Sequence, residues 1–269
     1  MQVMSTLTVG AIGDLLRDWR QQRRLSQLDL ALEAEVSPRH LSFIETGRSR
    51  PSRDLVLHLA ERLDVPLRER NALLRAAGYA PAYRETQLEA EEMAPVRAAI
   101  DKILAGHEPF PAIVVDRYWN VVSANRPALG ILTDGVAPEL LASPVNALRV
   151  SLHPGGLAPR IANLAEYSEH VLHRLHRQAI MSGDPELFVL EKELRGYPGV
   201  APERAAPATT AELLFLPLVI RMTLEVRFSF FSTLATFGTA IDITLSELAI
   251  ESFFPADEAT AGALRAAWG

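Results

Sequence analysis

The sequence predicts two domains of different class: an all-α bundle of five helices, followed by an α+β domain with an antiparallel sheet of about five strands. Three observations predict this arrangement. Residues 1–80 carry a series of helix caps and apolar residues at spacings of three and four. Residues 81–95 form an acidic stretch with turn residues at both ends, which indicates a linker. Residues 96–269 then contain two β-rich runs, several helical segments and three further β-rich runs.

The composition is that of a globular protein with a sizeable core, since 48% of the 269 residues are hydrophobic and 22% are charged. The chain has no cysteine, which excludes disulfides and thiolate metal sites and agrees with a cytoplasmic location. No apolar run reaches the roughly eighteen residues that a membrane helix requires. Residues 1–20 lack a basic leader followed by an apolar core, so no secretory signal is predicted.

The charge is divided unevenly along the chain, whose net charge is −6. Residues 1–80 hold 12 arginines against 10 acidic residues, whereas the remainder holds 15 basic and 23 acidic residues. This imbalance indicates that the two domains have different partners. Lys102 and Lys192 are the only lysines, so the number of arginines is weak evidence and their positions must carry the argument.

The first two helices are predicted from apolar spacing and from a capping box. Helix one has its core-facing residues at Ile12, Leu15, Leu16 and Trp19. Ser26 precedes helix two, and Asp29 stands three residues later, as in a capping box. The buried face of helix two is predicted to comprise Leu28, Ala31 and Leu32.

Three further helices follow. Ser37 is the predicted N-cap of helix three, with Pro38 at its first position, and Gly47 supplies the left-handed residue that ends it. Ser52 is the predicted cap of helix four, and helix five is predicted from Pro66 to about Ala76. Because helices two and three are joined by a short turn, the layout is a helix-turn-helix.

Helix three has a polar and aromatic outward face. Leu41 and Ile44 share its core side, whereas the residues predicted to face solvent are Arg39, Ser42 and Phe43. In a DNA major groove, arginine pairs with guanine and an apolar ring contacts a thymine methyl group. Phosphate contacts are predicted from Gln27, at the first turn of helix two, and from Arg48, Arg50 and Arg53. The alternative is a helical bundle with solvated arginines and one surface phenylalanine.

The segment "LSQLDLALEAEVSPRHLSFIETGRSRPS" resembles the Xre and lambda-repressor-like helix-turn-helix family, and the resemblance covers roughly residues 11–78. It implies sequence-specific DNA binding, with bases contacted from the outward positions of helix three. Pro38 departs from the polar residues usual at the first of these positions. The predicted DNA-binding residues are Gln27, Pro38, Arg39, His40, Ser42, Phe43, Arg48, Arg50 and Arg53.

In the second domain, "PAIVVDRYWNVVSAN" predicts a β-hairpin, and the clearest helix is predicted at 161–182. Strands are predicted again in "LLFLPLVI", "TLEVRFSFFSTL" and "DITLSELAI". In residues 223–230 the apolar positions alternate, which places Leu224, Val226, Phe228 and Phe230 on one face. These residues form either plain core or the wall of a pocket for an apolar ligand, and spacing alone favours core.

Three segments of this domain are similar to the MmyB-like transcription regulators: "PFPAIVVDRYWNVVSANRPAL", "PVNALRVSLHP" and "STLATFGTAIDITLSELAIESFFPAD". The resemblance implies a PAS-like domain with a cavity between sheet and helices for a fatty acid or a similar hydrophobic small molecule. We expect Trp119 to line that cavity, with Arg221 and Asn125 as candidate anchors for a carboxylate. The predicted ligand-binding residues are Trp119, Asn125, Arg221, Leu224, Val226, Phe228 and Phe230.

No enzyme signature was found. "EYSEHVLHRLH" brings two acids and two histidines near one helix face, namely Glu166, Glu169, His170 and His173, but a solvated polar face explains them better than a metal site. No phosphate loop and no nucleophile elbow are present. The sequence thus predicts a homodimeric transcription regulator that binds double-stranded DNA and a hydrophobic effector and needs no cofactor. Two rivals remain: an enzyme with a C-terminal pocket that is tethered to DNA, and a DNA-binding scaffold without ligand.

Overall fold

The computed structural model describes residues 12–200, 217–223, 225–238 and 240–269. These residues divide into two compact units. The first extends to Thr86 and also includes Ala240–Ile243, and the second contains the remaining residues from Gln87 onward. Among the described residues, no helix is both long and apolar enough to cross a membrane.

The first unit contains the five predicted helices. They are α1 Ile12–Gln22, α2 Gln27–Glu33, α3 Pro38–Glu45, α4 Arg53–Arg62 and α5 Leu67–Ala76. The capping box of α2 is confirmed, because Asp29 N donates to Ser26 Oγ at 3.1 Å and Ser26 N donates to Asp29 Oδ2 at 2.9 Å. The side chains of Ser37 and Ser52 cap α3 and α4 as predicted.

The buried face of α2 differs from the prediction. Leu28 and Leu32 are 55% and 68% exposed, whereas Leu30, Ala31 and Ala34 are buried. Both sets of residues have helical spacing, so the local pattern alone cannot distinguish between them. The packing of α2 against α3 and α4 selects the second set. The prediction that Leu28 and Leu32 are buried was wrong.

Gly47 follows α3 with a φ of +70°, as predicted. Apart from the glycine itself and its two chain neighbours, no heavy atom of the described residues lies within 4 Å of the position that a Cβ would occupy, so a larger residue meets no steric obstacle from them. The cost of a substitution is therefore the cost of the left-handed backbone itself.

We expect Gly47→Val to lower the free energy of unfolding by about 1–2 kcal/mol, because a β-branched residue is strained at positive φ. Gly47→Asn is the matched control, since asparagine tolerates the left-handed conformation. Thermal unfolding of the full chain measures both variants. Equal melting temperatures for the two variants would show that backbone strain at this position is negligible.

The second unit begins with helix α6 Ala94–His107 and the hairpin of β1 Ala112–Val115 and β2 Val121–Ala124. The described residues up to 200 then form four α-helices, namely α7 Arg126–Thr133, α8 Ala147–Leu152, α9 Leu164–Ser182 and α10 Pro185–Arg195. The chain then contributes β3 Leu218–Arg221, β4 Arg227–Thr236, α11 Ile243–Ser246, β5 Ala249–Pro255 and α12 Glu258–Trp268. The five strands of the described sheet pair antiparallel in the order β2-β1-β5-β4-β3. The predicted α+β class is confirmed.

The β1–β2 hairpin and helix α9 also agree with the prediction. The hairpin turn depends on Asp116, whose Oδ1 accepts hydrogen bonds from the backbone N–H groups of Tyr118 and Asn120. Trp119 has a φ of +67° in this turn. Helix α9 buries one face, formed by Ser168, Val171, Leu172, Leu175 and Ala179.

The later strands are shorter than predicted or displaced. Of the run 213–220, the first half, residues 213–216, lies outside the described residues. The strand predicted from Thr223 begins only at Arg227, because Val226 N donates to Thr223 Oγ1 within the turn that joins β3 to β4. The strand predicted at 242–250 begins at Ala249, since α11 precedes it.

Candidate functional site

The outward side of α3 carries an arginine–phenylalanine cluster. The guanidinium carbon of Arg39 lies 5.2 Å from the ring centroid of Phe43, and that of Arg48 lies 5.9 Å from the same centroid. Arg39 and Arg48 are exposed, whereas Phe43 is half-buried. The cation–π contacts hold the two guanidinium groups beside the Phe43 ring and thereby place positive charge at the exposed end of the helix. This arrangement suits contact with a base edge and an adjacent phosphate.

The other predicted residues of α3 surround this cluster. Pro38 is exposed at the first helical position, and His40 is half-buried, with its backbone N–H donating to Ser37 Oγ. Ser42 is half-buried as well. Arg53 is exposed at the first position of α4.

Helix α3 is held in place by a carboxylate that the sequence analysis did not single out. Glu45 has no exposed side-chain surface, and Arg20 on α1 donates to both of its oxygens at 2.7 and 2.8 Å. Arg17 donates to the Glu45 backbone carbonyl at 2.7 Å. Burial on its own would raise the pKa of Glu45, but the hydrogen bonds from Arg20 and Gln27 outweigh it and hold the pKa below its usual value. The sequence does contain a signal for this ion pair: Glu45 is an acid at the end of α3, and Arg17 and Arg20 are bases one helical turn apart on α1.

Two predicted phosphate contacts are engaged within the fold instead. Gln27 Nε2 donates to Glu45 Oε2 at 2.8 Å, so its amide supports α3. Arg50 donates to the Ala77 carbonyl at 2.7 and 3.0 Å, and its guanidinium carbon lies 5.1 Å from the Tyr79 ring centroid. Arg50 thus satisfies a backbone carbonyl that α5 leaves unpaired at its C-terminus. In this conformation both side chains thus already make hydrogen bonds within the first unit.

The second unit encloses two adjoining cavities. The wider one has a volume of about 290 Å³, and the narrower one has about 50 Å³. They share five lining residues, namely Tyr167, Leu218, Phe230, Glu251 and Phe253. The narrow cavity is lined mainly by apolar side chains of the sheet, α7 and α8, among them Ile113, Ala128, Ile131, Leu148 and Ile220.

The wide cavity has a polar side. Arg174 Nη1 donates to Glu251 Oε1 at 2.9 Å, and Ser232 Oγ donates to the same oxygen at 3.0 Å. Burial raises the pKa of Tyr167 to about 12, so its hydroxyl stays protonated at neutral pH. Burial and the nearby Arg174 cation lower the pKa of His170. An apolar and a polar region therefore meet along one wall.

Of the predicted ligand-binding residues, Phe230 lines both cavities. Phe228 is buried, but it packs edge-on against Phe230 at 6.0 Å within the core and lines neither of these two cavities. Trp119 is also a core residue, and it holds Arg174, whose guanidinium carbon lies 4.4 Å from the Trp119 ring centroid. Phe228 and Trp119 therefore do not line the two cavities but contact residues that do, namely Phe230 and Arg174.

The structure places the remaining predicted residues away from these two cavities or does not describe them. Val226 is 43% exposed because it lies in the β3–β4 turn, while Leu224 lies outside the described residues. Asn125 is buried, caps α7 and accepts from Ala112 N, and its amide nitrogen donates to the carbonyls of Leu104 and Phe110, so both of its N–H groups are already used. Arg221 is exposed at the end of β3 and donates to the Pro159 carbonyl at 3.0 Å.

The acids and histidines of α9 do not converge on a metal position. Over the described part of the chain, no group of three or more His, Cys, Asp or Glu side chains is arranged to hold a metal ion. His170 instead lines the wide cavity together with Arg174, one turn further along the same helix.

Two family models match the chain. Residues 16–70 match a helix-turn-helix model, and residues 96–267 match the model of the MmyB-like transcription regulator ligand binding domain. The fold and these matches define a helix-turn-helix transcription regulator that carries a ligand-binding domain. The chain belongs to the MmyB-like transcription regulators, and both resemblances identified in the sequence are confirmed.

The similarity to other proteins is weak. No curated protein matches the chain. A solved structure of an RNA-binding light-oxygen-voltage receptor matches with 14% identity and a TM-score of 0.27, over 98% of this chain. The chain spans 61% of that receptor's length. A likeness at this level informs neither the fold nor the function of this chain.

Proposed function

We propose that the chain binds a specific DNA operator through α3, and that a hydrophobic small molecule with an acyl chain, of the fatty-acid kind, binds in the second unit and controls this activity. The observation that carries the ligand proposal is the pair of adjoining cavities. One cavity has a volume of about 290 Å³ and the other about 50 Å³. Together they lie near the lower end of the range of roughly 300–1,000 Å³ that is typical of ligand sites.

The DNA proposal rests on how α3 is presented. The Glu45 cluster fixes the inner side of the helix, and the cluster of Arg39, Phe43 and Arg48 remains on the outside. A rigid helix with a basic and aromatic outward face is what direct readout in the major groove requires. Arg39, on the helix itself, is the base-reading candidate, whereas Arg48, just after the helix, is the phosphate-binding candidate.

We expect Arg39→Ala to weaken operator binding by about 1–3 kcal/mol and to relax preference at one base pair. Arg48→Ala should weaken binding to all sequences alike and reduce the salt dependence. Binding measured over a range of salt concentrations, against the operator and against single-base variants of it, separates the two effects. Unchanged affinity and preference for Arg39→Ala would exclude α3 as the reading helix.

Arg50→Ala is a matched control for these variants, because its guanidinium binds the C-terminus of α5. We expect this substitution to lower the melting temperature and to leave the DNA affinity of the folded protein and its salt dependence unchanged. A reduced salt dependence would return Arg50 to the DNA contacts that the sequence indicated.

The proposal includes a homodimer. One module of this size contacts a short DNA segment, and two half-sites about one helical turn apart, roughly 34 Å, raise specificity greatly. An effector changes DNA binding only if its affinity differs between the conformations that do and do not bind DNA. Native mass spectrometry of the purified chain measures the subunit number and a co-purified ligand together. The proposal would be contradicted if the protein were a monomer, carried no ligand and kept the same DNA affinity in the presence of every acyl compound tested.

An enzyme in the second unit is the alternative that one observation favours, because Tyr167, His170, Ser232 and Glu251 all line the wide cavity. Their contacts argue against it. Ser232 Oγ donates to Glu251 rather than to an imidazole, and Glu251 is paired with Arg174. An acyl ester or amide recovered chemically unchanged after incubation with the protein supports a sensor, whereas its hydrolysis supports the enzyme.

A further inference from the structure

The polar side of the wide cavity contains both an anion and a cation. Glu251 is 7% exposed at its side chain and lines both cavities. Arg174, whose side chain is 26% exposed, lines the wide cavity only. Their 2.9 Å contact neutralises the arginine charge within the cavity wall itself. A ligand that brought a second carboxylate would compete with Glu251 for one guanidinium and would place two negative charges side by side.

After the Arg174–Glu251 ion pair has formed, the pair still offers both a hydrogen-bond donor and a hydrogen-bond acceptor. Arg174 Nε is buried and has no hydrogen-bond partner among the residues that the structure describes, so the protein does not satisfy every donor of this guanidinium. The hydrogen bonds from Arg174 and Ser232 both reach Oε1 of Glu251, which leaves Oε2 to accept from a ligand donor. The guanidinium has N–H groups beyond the one that donates to Glu251, and next to an available carboxylate oxygen they match a group that both accepts and donates, such as a primary amide or a hydroxyl.

The other polar residues of the wide cavity supply no compensating positive charge. Tyr167 is protonated at neutral pH because burial raises its pKa to about 12, and a protonated phenol is neutral. His170 has a lowered pKa and is therefore largely uncharged at neutral pH. Among the described lining residues, Arg174 is thus the cation of this cavity, and Glu251 already neutralises it.

We propose that the cavity selects acyl-chain ligands with a neutral hydrogen-bonding head group over the corresponding carboxylates, because Glu251 already occupies the place of the anion beside Arg174. This inference rests on the proposed function and specifies its ligand class. The head group lies against Arg174, Glu251 and Ser232, and the chain extends along the apolar wall that includes Leu218, Phe230 and Phe253.

The test compares decanamide, decanol and decanoic acid by isothermal titration calorimetry with the delipidated full-length protein at neutral pH. We expect the amide and the alcohol to bind at least about tenfold more tightly than the acid. Glu251→Gln removes the anion but keeps an oxygen that accepts from Ser232 and Arg174, so it should reverse the order in favour of decanoic acid. Glu193→Gln is the control, since Glu193 pairs with Arg149 and lines neither of the two cavities.

The possible results separate the two proposals. If decanoic acid binds the unaltered protein as tightly as decanamide or more tightly, the head-group inference is wrong and the proposed function stands. If none of the three compounds binds, the acyl-chain proposal fails and the inference fails with it. The comparison in the unaltered protein decides the matter even if Glu251→Gln does not fold. A folded Glu251→Gln variant that keeps the original order would also contradict the inference.

Discussion

Glu45→Ala should destabilise the first unit by about 3–5 kcal/mol, because it leaves the Arg20 guanidinium buried without its carboxylate. The side chain of Glu45 is fully buried, and three hydrogen bonds to it come from α1 and α2. Loss of the carboxylate therefore removes the three side-chain hydrogen bonds by which Glu45 joins α3 to α1 and α2. Chemical denaturation of the full chain at neutral pH, followed by far-ultraviolet circular dichroism, measures the loss.

The control for this variant is Glu33→Ala, which removes an exposed acid of the same type from α2. Such surface substitutions usually change stability by less than about 0.5 kcal/mol. A Glu45→Ala variant as stable as Glu33→Ala would show that the buried ion pair contributes nothing net. Specific DNA binding should fall with the fraction of folded protein, since Glu45 positions α3, the proposed reading helix, and its own side chain is buried.

The same ion pair makes stability depend on pH. The pKa of Glu45 is lower in the folded protein than its ordinary value of about 4.3. The stabilisation is therefore complete above that ordinary value and is lost as the pH falls through the lower folded-state pKa. We expect the stability difference between the unaltered protein and Glu45→Gln to shrink as the pH is lowered below about 4.3. A constant difference across that range would contradict the role assigned to Glu45.

The first unit was predictable to the extent that its signals are local. Serine caps, a capping box and a glycine with positive φ act within four residues, and the structure confirms each of them. The choice of buried face on α2 was not local, because Leu28 and Leu30 both belong to plausible apolar stripes. The partners of Gln27 and Arg50 were not local either: they lie 18 and 27 residues away.

The cavity was harder to predict than the fold. Alternation correctly placed Phe228 and Phe230 in the interior, but it could not tell which of them lines a cavity and which fills the core. The polar side joins Arg174 on α9 to Glu251 on β5, which are 77 residues apart. Such pairs depend on how a helix packs across a sheet, and this packing cannot be predicted from a short sequence pattern.

Leu218 and Phe228 provide a matched pair on the same β3–β4 hairpin. Leu218 pairs with Phe230 across the two strands, and Phe228 pairs with Ile220 two residues further along. Both side chains are buried, at 9% and 6% exposure. Leu218 lines both cavities, whereas Phe228 lines neither of them, so tryptophan at the two positions overpacks the interior in both variants but fills different space.

We expect Leu218→Trp to weaken binding of an acyl ligand such as decanamide by at least about tenfold, because the indole occupies the region that the two cavities share. Phe228→Trp should bind the ligand nearly as the unaltered protein does. Each substitution overpacks the core and costs about 1–3 kcal/mol of stability, so thermal unfolding must first show that both variants are folded. Calorimetric titration then compares their affinities. Equal affinities for the two folded variants would place the ligand outside the region that Leu218 lines.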